Sequence, residues 1–137
     1  MLDIARHAVT AAQWSEAQYA GAFTSGRLVL VIEEESRVMG FLVGRVAADE
    51  WEIENIAVAG AARRRGLGTH LLGEFLHQVR SSGGKEVFLE VRESNRVARL
   101  LYEKWAFIEA GRRKSYYREP EEDAIILKFI FPGRAEI

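Results

Sequence analysis

Residues 57–76 read AVAGAARRRGLGTHLLGEFL. An apolar strand runs into a small-residue loop, then Arg63, Arg64 and Arg65, then Gly66-Leu67-Gly68, then an apolar-periodic helix. A helix amino end carries unsatisfied backbone N–H groups and roughly half a positive charge. Glycine lets a backbone adopt φ > 0 and approach a ligand closely. Basic side chains around such a turn describe a phosphate site, whereas a solvated basic turn with a glycine cap would use the same residues.

Two pyrophosphate-bearing cofactor classes fit a strand, a glycine loop and a helix. A dinucleotide site wants G-x-G-x-x-G directly after a strand, with an acidic residue about twenty positions later. Gly66, Gly68 and Glu90 nearly comply, but Leu71 stands where the third glycine belongs and the loop from the strand is long. The other class, the acyl-coenzyme A binders, uses Arg/Gln-x-x-Gly-x-Gly/Ala, and Arg63, Gly66 and Gly68 meet it.

Outward from the loop, the chain of 137 residues suits a single domain over 1–137. Hydrophobic residues at 48% and charged residues at 28% provide for a core and argue against disorder. The net charge of −1 offers no global attraction to nucleic acid or to an anionic membrane, so neither is an expected partner. The absence of cysteine removes disulfides, thiolate metal sites and a cysteine nucleophile. Neither a signal-peptide core nor an apolar run long enough for a bilayer occurs, and a cytoplasmic protein is expected. His7, His70 and His77 show no ligand spacing, and no metal is expected.

LDIARHAVTAAQ has helical spacing, and Ser15 reads as the cap of a second helix, EAQYAGAF, ended at Ser25-Gly26. RLVLVIEE and RVMGFLVGRVA form a hairpin, and WEIENIAVA is a third strand. The queried helix spans about Gly66 to Ser81 and breaks at Gly83-Gly84. KEVFLEV is a strand. Ser94 caps a helix whose Val97, Leu100, Leu101 and Trp105 make one apolar stripe. FIEAGRRKSYY and DAIILKFIF close the chain around the acidic turn REPEED. The order α-α-β-β-β-α-β-α-β-β implies an α/β fold of the mixed α+β kind, with helices packed on a mixed sheet. Asn95, Ala98 and Tyr102 fall at i, i+3 and i+7, on one side of their helix and away from Leu100 and Leu101.

NIAV (55–58), RRRGLG (63–68), LEVRESN (89–95), LLYEKWAF (100–107) and YYREPEEDAII (116–126) resemble the GNAT superfamily of N-acetyltransferases. Within it they resemble the RimI-type branch, which acetylates the N-terminal alanine of a ribosomal protein. The resemblance implies a mostly antiparallel sheet with helices on both faces and two strands splayed at an acetyl-CoA cleft. It implies that the backbone of Ile56, Ala57 and Val58 pairs with the pantetheine and that amides from Arg64 through Gly66, Leu67 and Gly68 to Thr69 hold the pyrophosphate. Arg63 and Arg65 add charge. Asn95 bonds the pantetheine arm beside Ala98, and Tyr102 donates a proton to the departing thiolate.

Glu90 is implied as the base that takes the amine's proton. Glu52, on the third strand, resembles the base position of the histone acetyltransferase branch and is the alternative. Glu54, Tyr116 and Tyr117 are candidates for contact with the acceptor, a protein or peptide N-terminus of the ribosomal-protein kind. A lysine side chain or a small-molecule amine is the alternative acceptor. A non-catalytic acyl-CoA-binding module is the alternative class, against which the pairing of Glu90 with Tyr102 argues. RimI-type chains usually carry a further strand before the first helix, whereas this one begins almost in the helix, so an exposed sheet edge is expected, met by a homodimer or by a compensating N-terminal packing.

Overall fold

The computed structural model of the chain describes residues 17–24 (backbone), 26–59 and 66–133. Apolar runs rich in β-branched side chains in β2 (Arg27–Glu34) and β3 (Arg37–Ala47), and alternation at the start of β4 (Glu50–Val58), make these three an antiparallel meander. Its links are tight. Glu34 pairs with Arg37 around Glu35-Ser36, whose φ values of 51° and 66° are the positive pair that a two-residue hairpin loop needs. Then follow α1 (Leu67–Ser81), β5 (Glu86–Arg92), α2 (Arg96–Lys104), β6 (Ile108–Tyr117) and β7 (Glu122–Ile130). With β1 (Ala17–Thr24) the described strands make one seven-stranded sheet, ordered β1-β2-β3-β4-β5-β7-β6. Only β4 and β5 run parallel.

The core lies between one face of this sheet and the helices. Leu28, Leu30 and Ile32 of β2, Trp51 and Ile53 of β4, and Val87, Leu89 and Val91 of β5 turn toward Leu67, Leu71, Leu72, Phe75, Leu76 and Val79 of α1. Each such side chain contributes about 1.5–3 kcal/mol on burial. Phe75 packs against Gly44, where a Cβ would stand 2.2 Å from its ring, and the β3–β4 register shifts at that point. α2 joins the same cluster through Ala98, Leu101, Tyr102 and Trp105. Both described helices therefore share one face, called here the helix face; Val29, Val31 and Phe41 form a smaller apolar cluster apart from this core.

Three expectations are corrected. The helix over EAQYAGAF is β1, paired residue for residue with β2 from Ala17↔Glu34 to Thr24↔Arg27. A run this short suits either period, and hydrogen bonds to the edge of β2 decide for the strand. The cap of α2 is Asn95, not Ser94: its Oδ1 accepts from the Ala98 N–H at 3.1 Å. The apolar stripe of α2 is also turned. Val97 and Leu100 are 83% and 62% exposed, while Leu101 packs inward beside Ala98 and Tyr102. Ala98, Leu101, Tyr102 and Trp105 satisfy helical spacing as well as the expected set does, and Trp105 finds its place against Gly73 of α1.

The helix expected over residues 2–13, the cap at Ser15 and His7 lie outside the described residues. The edge of β2 is covered by β1, so among the described residues the sheet's edges are the outer sides of β1 and β6.

Candidate active site

The parallel strands β4 and β5 are paired only at Trp51↔Val87 and Glu52↔Phe88. Beyond those two steps β4 stays with β3 as far as Val58, and β5 stays with β7 as far as Arg92. The sheet thus opens down its middle. The bulge between Val43 and Gly44 adds a residue to β4 there, a feature that bends a strand locally. Ile56, Ala57 and Val58 consequently keep one backbone edge that no described strand pairs.

The amino end of α1 borders this opening. Gly66 is its N-cap at φ +78°, without a side-chain cap, and the first turn holds no acidic residue. The first helical bond found is from the His70 N–H to the Gly66 carbonyl, 3.0 Å. Among the described residues the N–H groups of Leu67, Gly68 and Thr69 have no acceptor. A Cβ at Gly68 would meet Leu101 of α2 at 3.5 Å and Val58 of β4 at 3.9 Å, which is ordinary contact. Packing within the protein therefore does not demand a glycine there, although glycine weakens a helix by about 1 kcal/mol relative to alanine. Close approach by a ligand does demand one. Arg63, Arg64 and Arg65 lie outside the described residues.

On the helix face, Tyr102 is 4% exposed, with its ring 5.4 Å from that of Phe107. Burial pushes its phenol up to about 12. Its hydroxyl has no hydrogen-bond partner among the described residues. Asn95 uses one lone pair of its carbonyl oxygen on the α2 cap, and its NH₂ is left to offer a ligand.

Glu90 is on the opposite face, because Leu89 and Val91 on either side of it point into the core. Its Oε2 is ion-paired with Nε of Arg113, and Arg113 lies 5.5 Å from the centre of the Tyr116 ring. Tyr116 meets Tyr117 edge to face at 5.1 Å, and Arg92 lies 4.5 Å above Tyr117. Burial first, and the Glu90 carboxylate next, raise the Tyr117 phenol. Glu90, Tyr116 and Tyr117 are thus brought together around Arg113.

Other carboxylates of this face are engaged. Glu52 accepts from Arg45 at 3.1 Å, and Glu54 accepts from Arg27 at 2.9 Å and lies 3.6 Å from Arg45. The acidic turn is bound internally too: Glu122 pairs with Arg92 at 3.1 Å, and Asp123 accepts from the Ser115 N–H at 2.9 Å and from Arg112 at 3.1 Å. Those bonds hold the Asp123 carboxyl below its ordinary value. Arg113 and Arg92 escape a reading of the sequence. Each meets its partner across strands whose adjacency no local pattern states.

An opened parallel pair, an uncapped glycine turn at its edge, and a carboxylate and a phenol on opposite faces of the sheet describe a cleft for transferring a group between two substrates. The chain matches the acetyltransferase (GNAT) family over residues 4–107 and belongs to that family of acetyl-CoA-dependent N-acetyltransferases. It is 38% identical over 116 residues to the ribosomal protein bS18-alanine N-acetyltransferase of Salmonella typhimurium, covering 83% of this chain and 78% of the relative. The crystal structure of the Escherichia coli ribosomal-protein-S18-alanine N-acetyltransferase superposes with a TM-score of 0.76 at 28% identity, over 97% of this chain and 86% of the other. Ard1 from Thermoplasma volcanium superposes with a TM-score of 0.72 at 30% identity, over 77% and 71%. Among the described residues no helix is long and apolar enough to cross a membrane.

Proposed function

We propose that this chain acetylates the N-terminal α-amine of a protein, an alanine start of the bS18 kind being its acceptor. The observation that carries the reading is the opening between β4 and β5, with Glu90 on one face of the sheet and Tyr102 on the other. The names of the relatives supply the acceptor.

The residues present fit acetyl-CoA. The unpartnered amides of Leu67, Gly68 and Thr69, with Gly66 at their head, suit its diphosphate, and Arg63, Arg64 and Arg65 precede them in sequence. The unpaired edge of Ile56, Ala57 and Val58 suits the pantetheine amides as an added strand, with the Asn95 NH₂ on the α2 side and the small Ala98 leaving room. When bound, the coenzyme supplies an acetyl thioester whose C–S bond breaks as the new C–N bond forms.

Glu90, facing the acceptor side, takes the proton that the amine sheds, directly or through water. An α-amine with pKa near 7.7–8.0 costs only about 1 kcal/mol to deprotonate at neutral pH, against ~4.6 for lysine, so a partly exposed carboxylate suffices. Tyr102, on the other face, donates its hydroxyl proton toward the leaving sulfur. At about 12 its phenol stays protonated throughout the working range. The same desolvation raises the thiol's pKa, so the two groups stay closer in acidity than their values in water suggest. Glu54 is less suited to the base role because Arg27 and Arg45 engage both of its oxygens, and Glu52, held by Arg45 through one oxygen, stays the alternative base. Tyr116 and Tyr117 offer aromatic walls to the acceptor's first residues.

The test is a set of peptides offered with acetyl-CoA while thiol release is followed. An alanine-start peptide should react, its Nα-blocked form with an internal lysine should not, and a chain that binds acetyl-CoA without thiol release from any amine would refute the reading.

A further inference from the structure

The geometry points to Arg113 as the positioning residue of Glu90: it holds one carboxylate oxygen and leaves the other for the amine. This rests on the reading of Glu90 as base. Nε of Arg113 is ion-paired with Oε2 of Glu90, and among the described residues Oε1 accepts from nothing. A carboxylate has room for about four hydrogen bonds. One anchored oxygen stops the side chain from swinging while the second remains available to an amine or a water.

The neighbouring arginines are committed elsewhere. Arg112 bonds Glu93 at 2.9 Å and Asp123 at 3.1 Å. Arg92 bonds Glu122 at 3.1 Å and the carbonyls of Pro120 and Arg118 at 3.1 and 3.0 Å. These bonds tie β5 and β6 to the β6–β7 connection. Arg113 has Glu90 as its carboxylate partner and the Tyr116 ring beside its guanidinium.

The backbone explains why Arg113 reaches Glu90. β6 pairs with β7 at Arg113↔Ala124 and next at Tyr117↔Glu122, an irregularity that includes Ser115 at φ 49°. That break in the ladder brings Arg113 and Tyr116 together beside Glu90, and such breaks are frequent next to active sites. The pair contributes little to stability, since the Arg113 side chain is 58% exposed. Its consequence is geometric, for a base displaced by even an ångström loses much of its rate.

The test is a cycle of Arg113→Gln, Glu90→Gln and the double variant, assayed on the alanine-start peptide. Arg113→Gln should lower kcat roughly tenfold and leave the KM for acetyl-CoA and the melting temperature unchanged. In the Glu90→Gln background the same change should do nothing more, because a residue acting through Glu90 has nothing left to position. Full activity in Arg113→Gln, or a loss that multiplies with that of Glu90→Gln, would overturn the inference while leaving the acetyltransferase reading intact. Wild-type protein inert toward the peptide, or Glu90→Gln at full speed, would instead refute the assignment of the acceptor or the base, and this inference with it.

Discussion

Tyr102 shows how one side chain can serve both the core and the chemistry. Its ring belongs to the apolar cluster, and its hydroxyl lacks a partner among the described residues although the residue is 4% exposed. A buried hydroxyl without a partner costs stability, so removing it should not harm the fold. Tyr102→Phe is expected to keep or slightly raise the melting temperature and leave acetyl-CoA affinity intact. The rate of acetyl transfer should fall roughly 10²-fold, read as thiol release at saturating substrates. The same burial makes a pH prediction. The folded phenol titrates near 12 and the unfolded one near 10, so the folded state holds its proton more tightly. That stability is fully present below pH 10 and is lost as pH rises toward 12, a change of order 2 kcal/mol. Denaturant midpoints measured across this window should drop further for wild type than for Tyr102→Phe.

At the level of elements, two glycines at the interface of β3 with α1 have opposite meanings. Gly44 of β3 exists for packing: Ala there would place a Cβ 2.2 Å from the Phe75 ring, and chemical denaturation should show a loss of at least about 1–3 kcal/mol. Gly68, inside the first turn of α1, has space for a Cβ. Gly68→Ala should therefore hold stability or gain up to about 1 kcal/mol, while titration shows weaker binding of acetyl-CoA. Equal affinity in that variant would separate the amide turn from the diphosphate. Much of this was legible beforehand, because a glycine turn before an amphipathic helix is a local pattern. The turned stripe of α2 was not, since two sets of apolar residues satisfy its period and contact with Gly73 of α1 selects one.

For the molecule as a whole, the opening in the sheet implies that the two halves, β1 to β4 and β5 to β7, meet through one two-step parallel ladder and the shared core under α1. A ligand laid along β4 and gripped at α1 would brace that seam. Acetyl-CoA at 100 times its dissociation constant should stabilise the fold by about 2.7 kcal/mol, seen as a rise in melting temperature that a phosphate-free pantetheine analogue reproduces only in part.

Residue order alone was enough for the strand that begins near Trp51, the helix that ends at Ser81, and the helical spacing that aligns Asn95, Ala98 and Tyr102. Each of these depends on neighbours a few residues apart, where φ/ψ preferences and side-chain period act directly. Tertiary structure alone decided that EAQYAGAF pairs as a strand, that β4 and β5 part after Glu52 and Phe88, and that Arg113 reaches Glu90. Those outcomes come from hydrogen bonds and ion pairs between segments distant along the chain. Which partner wins there depends on what else the folded sheet leaves unpaired.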